Sequence, residues 1–171
     1  MRKLLVLAGL AVMLSLASPA FSQDTPKAEV FAGYSYIRSG GANFNGWNAA
    51  VQGNFNHWFS LVGDFSGHYY PPANVHLYTY TFGPQASYRT DKITVFGRVL
   101  FGGAKAGVGF GGISASTNAF AMNFGGGVDW NVSKPIAIRL IQADALVTRF
   151  GGSTTTDPRL SFGIVFRFGT K

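Results

Sequence analysis

After Lys27 the chain alternates large apolar side chains with small or polar ones in eight runs, set apart by turn-forming residues. A period of two marks a β-strand with two unlike faces, and no helical period lasts beyond a turn or two. EVFAGYSYIR sets Val30, Ala32, Tyr34 and Tyr36 against Glu29, Gly33 and Ser35. GWNAAVQGNFN opposes Trp47, Ala49, Val51, Gly53 and Phe55 to Asn48, Ala50, Gln52, Asn54 and Asn56. In FSLVGDFSGHY, Leu61, Gly63, Phe65 and Tyr69 face away from Ser60, Asp64, Ser66 and His68. YTYTFGPQASYR separates Tyr78, Tyr80, Phe82, Pro84, Ala86 and Tyr88 from Thr79, Thr81, Gln85, Ser87 and Arg89. ITVFGRVLFGG and AFAMNFGGGVDWN place Val95, Val99, Phe101, Phe120, Met122, Phe124, Val128 and Trp130 on the apolar side, with Thr94, Arg98, Asn123 and Asp129 on the other. The last run, RLSFGIVFRFG, alternates Leu160, Phe162, Ile164, Phe166 and Phe168 with Ser161, Gly163, Val165 and Arg167.

The seventh run, PIAIRLIQADALVT, breaks parity: Arg139 is odd, whereas Gln142 and Asp144 are even. A bulge near Leu140 and Ile141 restores one polar face, a device common where barrel strands bend. The connections alternate in length. RSGGANFNG, HYYPPANVH, GGAKAGVGFGGISASTN and RFGGSTTTDP are long, and the segments near NHW, RTDK and NVSKP are tight. This is the pattern of an up-and-down meander with long loops at one end and both termini at the other.

Such alternation fits either a soluble cavity barrel with its apolar face inward or a transmembrane barrel with that face outward. The polar face decides for the second. It is built from Asn, Gln, Ser, Thr and Gly with scattered single charges, whereas a water-facing sheet carries many more Lys and Glu. Large aromatics gather at two levels, Trp47, Tyr69, Tyr78 and Phe120 near the long loops and Phe55, Tyr88, Trp130 and Phe168 near the short turns. Two aromatic girdles are expected at two membrane interfaces. The runs are also about 10 residues long, the length of a tilted strand across a bilayer core. Turning the last strand over would place Arg167 in lipid at a cost of about 2 to 4 kcal/mol at mid-depth. It would also withdraw five apolar side chains from hydrocarbon, at about 1.5 to 3 kcal/mol each. The fold expected is an all-β, eight-stranded antiparallel up-and-down transmembrane barrel.

The first 22 residues read as an export leader: Arg2 and Lys3, the apolar stretch LLVLAGLAVMLSLA, then the small residues Ala20 and Ser22 before Gln23. Residues 23–27 form an N-terminal tail and residues 28–171 the barrel domain. Composition agrees with a chain whose exterior is partly dry. Charged residues are 12% and aromatics 15%, with 23 glycines, against the roughly 25% charge of a soluble domain. The net charge of +7 includes the leader's two cations and forms no basic run, so nucleic acid is not an expected partner. With no cysteine, neither disulfides nor thiolate chemistry enters.

On these residues the chain resembles the small eight-stranded outer-membrane barrels, the OmpA-like and OmpX-like group. The likeness rests on EVFAGYSYIR, GGGVDWNVSKPIAIR, QADALVTRF and the closing strand. Ser161, Gly163, Phe166 and Phe168 match in order the terminal assembly signal of such proteins, although Gly169, Thr170 and Lys171 follow where many members end on the aromatic residue. The resemblance implies the outer membrane of a Gram-negative bacterium, and a monomer surrounded by outer-membrane lipids and lipopolysaccharide. It also implies delivery by periplasmic chaperones and the barrel assembly machinery. No second module is expected after the eighth strand, and with it no direct cell-wall tether.

Chemical motifs add little. GVGFGG, with Gly107, Gly109 and Gly112, has the spacing of a dinucleotide fingerprint but no βαβ context, and reads as a flexible surface loop. GxxxxGK[ST] and HExxH are absent, and Asn131 in NVS is a turn residue. His68 and His76 flank the second long loop as rim residues without a third metal ligand, and His57 lies in a tight turn beside Trp58. The charges Glu29, Asp64, Arg89, Arg98, Asp129, Arg139, Asp144 and Arg167 are expected to pair inside the barrel and plug it. No catalytic, cofactor-binding or metal-binding residue and no cofactor is expected. The function expected is a non-enzymatic envelope barrel with a structural or surface-interaction role. The alternatives are a lipid-modifying acyl hydrolase or transferase using Ser66 and His68, a narrow channel, or a lipocalin-like binder.

Overall fold

The computed structural model describes residues 25–110 and 113–170. The leader expected over residues 1–22 lies outside the described residues, as do Gln23 and Asp24. Eight strands follow one another: β1 Pro26–Ser39, β2 Ala42–Asn54, β3 Phe59–Tyr70, β4 Val75–Arg89, β5 Ile93–Phe110, β6 Ile113–Asn131, β7 Ile136–Phe150 and β8 Ser153–Thr170. Each pairs antiparallel with the next, and β8 returns to β1, so the sheet closes into an up-and-down barrel.

The closure is staggered. The ladder can be followed from Ile37 to Arg159, Asp144, Gly125, Arg98, Gln85, Ser60 and Asn54. Asn54 stands one step beyond the Ala28–Gly53 pair, so a full circuit misses its origin by about ten residues, the stagger a tilted eight-stranded barrel requires. The expected bulge is present. Val128 pairs with Ile141 and Asp129 with Arg139, which leaves Leu140 as the extra residue, and Leu140 and Ile141 both face outward at 53% and 50% exposure. Arg139, Gln142 and Asp144 thereby all point inward, and all are buried.

The polarity is inside out. Trp47, Val51, Phe82, Phe101, Phe124, Phe162 and Phe166 are exposed on the outer wall, while Glu29, Asn48, Asp64, Arg98, Asn123 and Gln142 are buried within. The interior is not wholly polar, contrary to the alternation read as oily outside and hydrophilic inside. Phe31, Ala50, Val62, Leu100, Ala137 and Val165 form one apolar cluster, and Ile37, Ala104, Ala121 and Leu146 form another, backed by Phe44, Leu77 and Phe150. These side chains fill space that eight strands leave too narrow for water.

Three of the long loops are corrected to strands. Gly40–Gly41 and Gly151–Gly152 are two-residue turns with positive φ at both positions, the geometry that matches strand twist and strongly favours glycine. β5 runs to Phe110 and β6 starts at Ile113, so most of the segment read as a flexible loop is paired backbone. The fourth connection is a 3-10 turn, Pro71–Ala73, closed by Asn74 in the left-handed region. Beyond the upper girdle neither face needs to be apolar, so the period-two contrast fades while the ladder continues.

Closure also depends on inward-facing glycines at the seam, where Gly33 of β1 pairs with Gly163 of β8. A Cβ on Gly163 would lie 2.3 Å from the Ala32 carbonyl oxygen and 2.5 Å from the Gly33 Cα. Gly163→Val is therefore expected to cost at least about 1 to 3 kcal/mol. Gly53→Val, on the outer wall with nothing within 4 Å of the added Cβ, is expected to fold normally. The fraction of barrel that resists unheated detergent on a gel distinguishes the two, and equal folding of both variants would show that the seam tolerates a side chain.

Candidate functional site

The inward parity of four strands builds a buried ionic group at mid-barrel. Asp64 of β3, Arg98 of β5, Asp144 of β7 and Arg159 of β8 converge with side chains fully buried. Arg98 Nη2 donates to Asp64 Oδ2 at 2.9 Å and to Asp144 Oδ2 at 3.0 Å. Arg159 Nη1 donates to Asp64 Oδ1 at 2.9 Å, and its Nη2 to Asp144 Oδ2 at 2.9 Å. Each carboxylate is thus shared by two guanidiniums, and the group is neutral as a whole. Asn48 donates to Asp64 at 3.0 Å and Gln142 to Asp144 at 2.7 Å, which satisfies further lone pairs.

Two smaller groups lie toward the short turns. Arg139 donates to Asp129 through Nε at 2.7 Å and Nη2 at 3.1 Å, and its guanidinium lies between the rings of Phe31 and Phe96, 4.3 and 4.4 Å from their centroids. Inward-facing Gly127 gives the Phe96 ring room to lie flat, since a Cβ there would be 2.7 Å from it. Below, Glu29 pairs with Arg89 at 2.7 Å and Arg167 at 3.5 Å, and Asn54 donates to Glu29 at 2.8 Å. All eight charges expected inside are there.

Arg159 is the residue that sequence reasoning missed. It adjoins the long connection RFGGSTTTDP, yet it shares parity with Ser161, Gly163, Val165 and Arg167, and that parity is its signal in the sequence. It lies at 0% exposure.

The histidines are placed differently from expectation. His68 is not a rim residue: it is fully buried, and its Nε2 lies 2.9 Å from Ser35 Oγ. His76 lies on the opposite side of the wall, its ring against Tyr78 and over Gly107. The two cannot face each other, because adjacent register positions point to opposite faces of the sheet. His57 approaches Thr25 at 3.4 Å.

Nor do Ser66 and His68 form a nucleophile and base. Ser66 Oγ is bonded to Thr79 at 2.6 Å and accepts from Arg159 at 3.3 Å, and both residues are buried away from the outer wall. His68 Nδ1 has no partner in the structure, so no carboxylate orients the ring as a triad requires. Among the described residues no group of three His, Asp or Glu side chains is placed to hold a metal ion.

Beside the ionic groups the interior holds a small void. The void between Glu29, Phe31, Gln52, Gln85, Arg98 and Arg139 measures about 10 Å³, room for roughly one water. On the outer wall, an apolar hollow of about 450 Å³ lies beside the bulge, lined by Val132, Ile136, Ile138, Leu140, Phe162 and Ile164. At mid-barrel the paired side chains fill the cross-section, and the outer wall presents apolar side chains to its surroundings.

No family model matches the chain. No curated protein sequence matches it either. Solved structures do. Neisserial surface protein A is similar with a TM-score of 0.64 at 14% identity, covering 82% of this chain and 96% of that one. The attachment invasion locus protein Ail of Yersinia pestis gives 0.54 at 19%, covering 82% and 99%. The N-terminal β-barrel domain of Pseudomonas aeruginosa OprF gives 0.56 at 12%, covering 85% and 100%. At these identities the likeness is one of fold, that of the small eight-stranded outer-membrane barrels.

The central ionic group makes a direct prediction. Asp144→Ala leaves Arg98 and Arg159 sharing one carboxylate and is expected to lower stability by about 3 to 5 kcal/mol. Arg38→Gln, at an exposed position without an ion pair among the described residues, is expected to change it by less than about 1 kcal/mol. Urea unfolding of the barrel in lipid vesicles measures both, and a small effect of Asp144→Ala would show that the group is not a structural tie.

Proposed function

We propose that the chain is a non-enzymatic outer-membrane barrel that contributes to envelope structure. On this reading it is exported by the leader at residues 1–22 and inserted by the barrel assembly machinery, with periplasmic chaperones carrying it there. The observation that carries the reading is the inverted polarity of a closed barrel: a continuous apolar outer wall between two aromatic levels, around an interior of paired charges. In water that wall would expose far more contiguous apolar surface than a soluble monomer tolerates. In lipid the same wall is satisfied, and ring closure leaves the spanning backbone paired.

The filled interior speaks against a channel and against a lipocalin-like binder, since both need a lumen. Ser66 and His68, the dyad an acyl hydrolase would use, are buried inside the barrel, which speaks against that reading. The remaining functional surfaces are the outer wall, in contact with outer-membrane lipids and lipopolysaccharide, and the paired hairpins beyond the upper girdle.

The test is fractionation followed by gel migration with and without heating. The protein is expected in the outer membrane, with a heat-sensitive shift and no stable conductance in planar bilayers. Phe166→Asp is expected to abolish the heat-sensitive band, because it places a carboxylate on the outer wall of β8, whereas Phe166→Leu should retain it. A protein that stays soluble without detergent, or a Phe166→Asp variant that migrates like the parent, would overturn the reading.

A further inference from the structure

The interior arginines are paired, but among the described residues three cations that face outward from the strands are not. Lys105 points outward from β5 and pairs in the ladder with Tyr78 on one side and Asn118 on the other. Arg149 points outward from β7 and pairs with Phe120 of β6. Tyr78 and Phe120 belong to the upper aromatic girdle, so both cations stand at its margin, on either side of β6. Arg38 is also outward, two residues beyond Tyr36 on β1, but in a different sector of the wall. None of the three has an ion pair among the described residues. The acidic residue at this end, Asp157, is buried and shares the inward parity of Arg159. The outer wall here is therefore cationic without compensation, at the level where headgroup phosphates begin.

We propose that Lys105 and Arg149 bind the two phosphates of one bisphosphorylated disaccharide glycolipid of the outer leaflet, the chemistry of lipid A. The proposal rests on the outer-membrane reading above and names the lipid and the sector of wall that holds it. Charge complementarity selects an anionic headgroup. Spacing selects two phosphates: β5 and β7 are two strand intervals apart and the two positions are offset by two residues along the ladder, about 12 Å in all, which exceeds the reach of a single phosphate and suits a pair borne on a disaccharide. Asn118 lies between the cations and can donate to a sugar hydroxyl. Phe120 and Phe124, exposed on β6 below it, supply the apolar track for the acyl chains.

The experiment uses the full barrel in zwitterionic micelles, titrated with diphosphoryl and monophosphoryl lipid A and followed by native mass spectrometry. The parent is expected to bind the diphosphoryl form about fivefold more tightly, the contribution of one added cation–phosphate contact. That preference should shrink as salt is raised. Lys105→Gln combined with Arg149→Gln should abolish it while the heat-sensitive band persists, and each single variant should reduce it. Arg38→Gln should leave it intact. A preference that survives in the combined variant, or is lost equally in Arg38→Gln, would overturn the assignment to β5–β7. Equal competition by phosphatidylglycerol would show generic anion attraction and overturn the glycolipid. Loss of the heat-sensitive band in the parent would instead sink the barrel reading itself, so the two failures are distinguishable.

Discussion

The structure depends on one constraint: a sheet whose outer wall is hydrocarbon must leave no backbone donor or acceptor open along that wall. The β1–β8 ladder, from Pro26 opposite Thr170 to Ile37 opposite Arg159, meets it by closing the ring. Closure with eight strands fixes the radius, and the radius fixes what the interior can hold. Gly33 and Gly163 face each other at the seam because the inner wall there has no room for Cβ atoms. Inverted polarity then follows, since the side chains excluded from the outer wall have nowhere else to go.

An interior this narrow is safe for charge only when the charges are matched in geometry as well as number. Arginine suits the task because its fork of donors can serve two carboxylates at once. The group of Asp64, Arg98, Asp144 and Arg159 uses that property to join β3, β5, β7 and β8 through the middle of the barrel. Buried ion pairs often break even against an apolar core of the same shape, so their worth lies less in net stability than in the cost of mispairing. A one-residue slip in any of these strands would move its charge from the interior to the outer wall. The quartet thus adds to the register that the apolar outer wall already sets, since a slip that moves a charge outward also turns apolar side chains inward.

Much of this was legible in the sequence. Strand number, the assignment of faces, the bulge at Leu140–Ile141 and all eight expected interior charges followed from parity, because one wall was uniformly apolar and any break in the alternation stood out. What was lost had weaker contrast. Arg159 follows Pro158 and a run of threonines, where both faces are polar, so only its parity with Ser161 and Arg167 marks it as inward. Phe31, Ile37, Val62, Leu100 and Leu146 are apolar on the inner face, so their strands read locally as uniform instead of alternating. The hairpins beyond the girdle read as loops for the same reason, since neither of their faces is uniformly apolar. His68 shares the inward parity of Asp64 and Ser66, but parity does not give height along the barrel, and its nearness to the Pro-Pro turn suggests the rim although the side chain is fully buried.

The stagger that closes the ring also determines which outer-wall residues share a level. Lys105 pairs with Asn118, whereas Arg149 pairs with Phe120, two residues nearer the middle of the wall, so along the ladder the cations are offset. In a tilted barrel the ladder is not horizontal. A mismatch of about ten residues spread over eight strands raises each successive strand by slightly more than one residue. Across the two intervals from β5 to β7 this rise cancels the offset and brings both cations to the same height, with Phe120 between them just below. The tilt that lets the interior charges meet is therefore the same geometry that aligns Lys105 with Arg149, and neither could be changed without the other.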